Sequence, residues 1–325
     1  MLVLHVDDGT YFTKDRELAL RDIATLKRKY QLEHEPLNWY VGLRISQTKE
    51  RIKVTGDAYI EQCAMRFKVE NHAPLSCPAV DTPKHWEGES MCQQAYMEII
   101  GCLMYMSNAC RPDVAQIVNL LASFMQCPST QHLSMARNVL MCLYHTKELG
   151  LTYERTNVRG GNDKNKIRNM KLSAYFDSDF ATCSKTRKSR SGVLVHYNDQ
   201  LVLWASIKQT LVALSVFEAE TIAGNLCYRR ILHLRKIAAD LSLSHKEQKH
   251  TCTHGDNEKA MSCAAEDKYG KQSKHFEVRC FKLAEGCTTG VLDIAYIASA
   301  KNPADLLTKV TSATTFKNLV HFLVS

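Results

Sequence analysis

Apolar and polar positions along this chain follow two periods, and the points where one yields to the other set the order of elements. Met1-Leu-Val-Leu-His-Val6 is a short β-prone run. Asp7-Asp8-Gly9 is a tight turn and Tyr11-Phe12 starts a return strand, so the three pieces predict a hairpin. From Asp15 to Tyr30 the residues Leu20, Ile23, Ala24 and Leu26 recur near helical spacing. Asp15 is placed to cap that helix, and Lys27, Arg28 and Lys29 lie near its C-terminus. Trp39-Tyr-Val-Gly-Leu-Arg-Ile45 and Arg51-Ile-Lys-Val-Thr55 predict a second hairpin, followed by a helix from Asp57 to Phe67. Pro74, Pro78 and Pro83 mark a linker. Beyond it, helices are expected over Tyr96 to Ser107, Pro112 to Met125 (with proline in its first turn) and Thr130 to Glu148.

A polar stretch rich in Asn, Lys and Gly, residues 155–170, separates this part from a second series of elements. Lys171-Leu-Ser-Ala-Tyr-Phe-Asp-Ser-Asp-Phe-Ala181 is an apolar run of strand length that delivers Asp177 and Asp179, and alternation would put both on one face. Ser191 to Tyr197 and Leu201 to Ala205, joined by Asn198-Asp199-Gln200, predict a hairpin. Ser215 opens a long helix to about Asp240 with Ile222, Leu226, Ile231, Leu234, Ile237 and Leu241 expected inward. His250 to His254 and Gly290 to Ile297 read as strands, Asn302-Pro303 as a helix start, and Thr314 to Val324 as a closing helix.

Composition narrows the picture. At 325 residues and 45% hydrophobic, the chain has room for two globular domains. Lys and Arg number 42 against 34 Asp and Glu, a formal charge of +8, which favours an anionic partner. The 13 cysteines show no C-x-x-C pair, so neither a disulfide framework nor a zinc knuckle is indicated; reduced thiols point to the cytosol or nucleus. Cys252 and His254 could ligate a metal, but strand alternation accounts for them as well. The N-terminus does not resemble a secretory signal, and no apolar run approaches the ~20 residues a membrane span needs. An intracellular protein without a membrane partner is expected.

Acidic residues carry the candidate chemistry. Asp177, Glu220, Asp256 and Asp305 lie far apart in sequence, each in a distinct local setting. If a fold gathers them, four hard oxygen donors would repel one another unless divalent cations sat among them. Glu218 and Glu220 are two apart on one helix and cannot both face such a site; Glu218 is expected at the surface or serving the helix dipole. Lys185, Arg187, Lys188 and Arg190, in a loop before the hairpin, and Lys274, Arg279 and Lys301 are candidates for phosphate contact.

Tyr175-Phe-Asp-Ser-Asp-Phe-Ala181, Arg187-Lys-Ser-Arg-Ser-Gly192, Trp204-Ala-Ser-Ile-Lys-Gln209, Glu218-Ala-Glu220, Asp256-Asn257, Lys274-His-Phe-Glu-Val-Arg279 and Pro303-Ala-Asp-Leu-Leu-Thr-Lys309 occur in the order found in the ribonuclease H domain of copia-type retrotransposon polyproteins. Val6-Asp-Asp8, Tyr40-Val-Gly-Leu-Arg44, Ile100-Gly-Cys-Leu-Met-Tyr105 and Arg111-Pro-Asp-Val-Ala115 extend the resemblance over nearly the whole chain.

The resemblance implies an α/β (α+β) chain: the end of a reverse transcriptase palm (1–73), a helical thumb and connection (74–154), a linker (155–170), a ribonuclease H-like domain with a mixed five-stranded sheet (171–309) and a C-terminal helix (310–325). It assigns Asp177, Glu220, Asp256 and Asp305 to two Mg2+ ions, with Mn2+ as the alternative, and to hydrolysis of RNA in RNA–DNA hybrids. Asp7 and Asp8 would be a vestigial polymerase pair, because the further aspartate of that site comes from upstream; no polymerase activity is expected. The implied partners are the hybrid and remaining portions of a Pol polyprotein. Val216-Phe217, Thr221 and Phe180 depart from the family pattern without removing any acid. They leave open a catalytically inactive relic, or a module reused for binding nucleic acid or protein.

Overall fold

Most of the boundaries that hydrophobic periodicity sets are those the folded chain adopts. A computed structural model describes residues 2–325 apart from 7, 14, 72, 74, 76, 80, 85–87, 89–92, 155–170, 242–249 and 267–273; it describes no side chain at 5, 263, 265, 266 or 274–280. The expected 155–170 linker lies outside the described residues.

The chain opens with β1 (Leu2–His5) and β2 (Asp8–Tyr11), an antiparallel pair that forms a two-stranded sheet by itself. Helix α1 (Arg16–Lys29) follows, its first turn held by Asp15, whose carboxylate accepts from the Glu17 and Leu18 amides. Strands β3 (Trp39–Tyr40), β4 (Leu43–Gln47) and β5 (Arg51–Thr55) are successive antiparallel neighbours. Helices α2 (Asp57–Phe67), α3 (Gln93–Ala109), α4 (Ala115–Ala122) and α5 (Thr130–His145) come next. A short 3-10 turn, Pro112–Val114, leads into α4.

One feature of this part differs from expectation. The stretch 74–154 is not wholly helical: Leu151–Glu154 is a strand, β6, that pairs antiparallel with β5 and completes a four-stranded sheet ordered β3-β4-β5-β6. Gly150 makes this possible, since a Cβ there would meet the Val54 carbonyl oxygen at 2.1 Å. Four residues adjoining a long helix carry too little alternation to announce a strand.

The second sheet holds β7 (Leu172–Ser178), β8 (Arg190–Tyr197), β9 (Gln200–Lys208), β10 (Thr251–Gly255) and β11 (Leu292–Tyr296) in the order β11-β10-β7-β8-β9. β7, β8 and β9 are antiparallel, whereas β10 runs parallel to both β7 and β11. This is the mixed five-stranded sheet expected. The β8–β9 turn places Asn198 and Asp199 at φ 50° and 62°, the left-handed pair of a tight hairpin that Asn and Asp tolerate better than most residues.

The sheet is covered on both faces, so its strands are buried almost throughout. On one face Phe176, Val193 and Val195 pack against α6 (Val216–Asp240), α7 (Glu258–Glu266) and α8 (Lys274–Thr288). On the other, Leu194 and Leu201 share a core with α2–α5, with Leu306 and Leu307 of a 3-10 turn (Pro303–Leu307), and with Leu319 of α9 (Ala313–Leu319). The C-terminus returns to the N-terminal half, where Ser325 exchanges backbone hydrogen bonds with Gly150.

The inward stripe of α6 also needs correction. Ile237 and Leu241 are exposed, and the buried face is Ala219, Glu220, Ala223, Gly224, Cys227, Tyr228 and Ile231. The helix lies too close to the sheet for large side chains, for a Cβ on Gly224 would stand 3.0 Å from Leu283 and 3.4 Å from the Phe176 ring.

Candidate active site

Asp177 is the penultimate residue of β7, the central strand of the five. Its neighbour Phe176 points toward α6, so by alternation Asp177 faces the other way, toward the Pro303–Leu307 turn. That turn is clamped in place. The Asn302 side-chain amide donates to the Phe176 carbonyl at 3.0 Å, while its oxygen caps the turn by accepting from the Ala304 amide at 3.1 Å. Ser206 of β9 donates to the Leu307 carbonyl at 2.6 Å. Gly192 lets β8 approach, because a Cβ there would lie 2.8 Å from the Ala304 carbonyl oxygen. Asp305 is thereby set beside Asp177.

Asp256 follows the C-terminal end of β10. One carboxylate oxygen from each of Asp177, Asp256 and Asp305 lies within 4.8 Å of the others. Glu220 is not in that group of three. It comes from the second turn of α6, on the opposite face, and reaches the end of β7, where its Oε1 accepts from the Ser178 amide (3.1 Å) and hydroxyl (2.9 Å). Its Oε2 is buried and has no hydrogen-bond partner among the described residues.

Two residues that sequence reasoning gave no role complete the cluster. Thr308 donates a hydrogen bond to Asp177 Oδ2. Lys309 Nζ stands 2.9 Å from Asp305 Oδ1 and 3.3 Å from Asp177. A readable signal existed, since Lys309 is four residues after Asp305, the spacing of an ion pair on a helical turn.

Burial dominates the electrostatics. It pushes the Asp177 carboxyl up to about 7, against the lowering effect of Lys309. Glu220 is pushed up to about 9 by burial first, then by the charges of Asp177 and Asp256. Asp305 is raised by burial, with Lys309 offsetting part of the effect. Burial would lower the Lys309 ammonium, but Asp177 and Asp305 outweigh it and hold the group above its ordinary value. Such carboxylates favour a proton or a cation over standing charged and alone. The donor set, hard oxygens with one buried oxygen unpartnered, fits a divalent ion such as Mg2+.

Other expected residues fare differently. Asp179 lies beyond the end of β7 and is not in the cluster: its carboxylate accepts from the Arg190 amide and the Thr182 hydroxyl, tying down the β7–β8 loop. Glu218, half-buried at the start of α6, accepts from the Leu214 amide. Lys185, Arg187 and Lys301 are exposed and Lys188 is half-buried. Arg190 is buried and donates to the Ser206 carbonyl and hydroxyl at 3.3 and 3.2 Å, so it does not serve phosphate contact; as the first residue of β8 it is turned inward onto β9. The side chains of Lys274 and Arg279 lie outside the described residues, as does Asp7; Asp8 is exposed on the first hairpin. Cys252 Sγ and His254 Nε2 are 3.3 Å apart and join no metal group among the described residues.

No family model matches the chain. Among curated proteins it is 28% identical over 329 residues to the retrovirus-related Pol polyprotein from transposon TNT 1-94 of Nicotiana tabacum, covering 98% of this chain and 24% of that protein. The corresponding polyprotein from transposon RE1 of Arabidopsis thaliana is 23% identical over 321 residues, covering 98% and 21%. Several retrovirus-related Pol polyproteins of copia-type transposons are thus similar to the chain over 98% of its length, at 23–28% identity. It spans about a quarter or less of the length of these Pol relatives. A shorter relative, secreted RxLR effector protein 161 of Plasmopara viticola, is 34% identical over 128 residues, covering 39% of this chain and 82% of that protein. Among solved structures, LC11-RNase H1 isolated from compost is 17% identical and covers 42% of this chain and 92% of that one, with a TM-score of 0.33. Among the described residues no helix is long and apolar enough to cross a membrane.

Proposed function

We propose that the C-terminal sheet of this chain hydrolyses the RNA strand of RNA–DNA hybrids, using divalent cations held by Asp177, Glu220, Asp256 and Asp305. The observation that carries the reading is the convergence of Asp177, Asp256 and Asp305 from three distant points of the chain, one oxygen from each within 4.8 Å. Glu220, whose charge is felt with those of Asp177 and Asp256, supplies a fourth carboxylate with one buried oxygen, Oε2, left without a partner among the described residues. Divalent cations held by these acids would supply neutralisation of the phosphate charge and a lowered pKa for an attacking water.

The chain's own residues prepare that chemistry. Thr308 fixes the orientation of Asp177 and Ser178 that of Glu220, while Lys309 holds Asp305 and Asp177 together in the cation-free site. Lys185, Arg187 and Lys301 present exposed charge to the sugar–phosphate backbone, which makes binding salt-sensitive. RNA is told from DNA by its 2′-hydroxyl and by duplex shape.

The test is incubation of the purified chain with end-labelled RNA–DNA hybrid and Mg2+, beside Asp177→Asn. Wild type is expected to release short RNA products, none of them in EDTA. The variant is expected to lose more than the roughly 100-fold that removing a residue behind a metal ligand costs. Hybrid binding without cleavage by folded wild-type protein would leave a binding module instead.

A further inference from the structure

Three carboxylates that meet before any cation arrives, Asp177, Asp256 and Asp305, must be kept from repelling one another. The chain carries its own answer. Lys309 Nζ contacts both Asp177 and Asp305, and Thr308 donates to the second oxygen of Asp177, so part of the cluster already has hydrogen-bond and charge partners. The other part does not: Glu220 Oε2 is buried without a partner, and the Asp256 carboxylate has no hydrogen bond or ion pair among the described residues. A cation therefore meets one unpartnered oxygen of Glu220 and the Asp256 carboxylate, beside two carboxylates already held by Lys309.

We propose that Lys309 is a resident counter-cation, displaced from Asp177 and Asp305 when a divalent ion enters, so that loading the site is an exchange and not a simple addition. The inference rests on the nuclease reading above. Its second half concerns where the ammonium goes. The Lys309 side chain is 39% exposed and lines a groove of about 240 Å3 whose charged lining is Lys188, Lys208 and Arg190 against the one acid Asp179. Leu120 and Phe124 close the groove from the α4 side. Released from the acids, Nζ enters a cationic groove suited to a phosphate, so the charge that holds the empty site together becomes a contact for the incoming strand.

Exchange has a signature that simple ligation lacks: removing the lysine tightens cation binding while it weakens the cation-free protein. Mn2+ affinity would be measured by titration calorimetry on wild type, Lys309→Met, Lys309→Arg and Lys317→Met, the last removing an exposed lysine of α9 as a control for net charge. Lys309→Met should bind Mn2+ about tenfold tighter, the order of effect one neighbouring charge has on a carboxylate. It should also melt lower than wild type in EDTA. Lys309→Arg and Lys317→Met should bind Mn2+ as wild type does. Equal or weaker binding by Lys309→Met overturns the exchange and leaves the nuclease reading intact; absence of Mn2+ binding in every protein overturns both. A measurement on wild type alone guards against a variant that fails to fold. Labelling with an N-hydroxysuccinimide ester, read by mass spectrometry, should modify Lys309 more readily once Mg2+ is added without substrate. Unchanged or reduced labelling contradicts displacement.

Discussion

Two acidic strand ends in this molecule look alike in sequence and differ in almost everything else. Leu2-Val-Leu-His-Val6 leads to Asp7-Asp8, and Leu172-Ser-Ala-Tyr-Phe176 leads to Asp177-Ser-Asp179. The first belongs to a two-stranded sheet whose Leu2, Val3, Leu4 and Val6 are exposed and whose Asp8 lies open to water. The second is the central strand of five, covered on both faces, and its Asp177 is fully buried. An acid in water is a solvated charge; the same acid out of water needs a proton, a lysine or a metal. Surroundings, not residue type, separate turn chemistry from candidate catalysis.

Stability sharpens the contrast most. Phe176→Ala opens a hole between β7 and α6 and is expected to cost about 3–5 kcal/mol, whereas Leu4→Ala should stay within about 0.5 kcal/mol, both by urea denaturation. Equal effects would mean the first hairpin is as well packed as the central strand.

A pH series comes next. Asp177 and Glu220 stand at about 7 and about 9 when folded, above their ordinary range, so the folded chain holds protons that the unfolded chain has already released. The stability they contribute is whole below the ordinary carboxylate range and fades as pH climbs through the folded values. In EDTA the melting temperature is thus expected to fall between about pH 5 and about pH 9, and Mg2+ or the pair Asp177→Asn with Glu220→Gln should flatten the decline. A rising profile in EDTA would show that these acids are not held protonated. Asp8→Asn should leave the profile as it is.

The smallest effect belongs to the clamp. Asn302→Ala removes the cap of the 303–307 turn and its hold on β7, with an expected cost of about 1 kcal/mol and a looser placement of Asp305 that weakens Mn2+ binding. Unaltered binding would mean that the turn keeps its place through its other ties, the Ser206 and Thr308 hydrogen bonds and the packing of Leu306 and Leu307.

How far these features could be read in advance follows from the range of the interactions that make them. Local signals carried well: α6 begins at the Ser215 cap and ends at Asp240 as its periodicity indicates, and the β8–β9 hairpin turns at Asn198-Asp199. Features set by distant partners did not. β6 exists because β5 lies waiting for it, and α6 buries small residues because the sheet comes close. Arg111 looked like the approach to a helix, yet it is buried, bonded to Asp113 at 2.7 and 2.9 Å and to the Thr146 carbonyl at the end of α5. The acids of the cluster were legible through a motif order, but the lysine that binds two of them is visible only when β7 and the 303–307 turn lie side by side.

The central claim is that burial and convergence turn four scattered acids into one cation site, and anomalous scattering from Mn2+-soaked crystals tests it most directly. The account predicts a peak bridging Asp177, Asp256 and Asp305 at oxygen-ligand distances of roughly 2.0–2.6 Å. Mn2+ bound elsewhere, or a cluster still closed by Lys309 at saturating Mn2+, would contradict it.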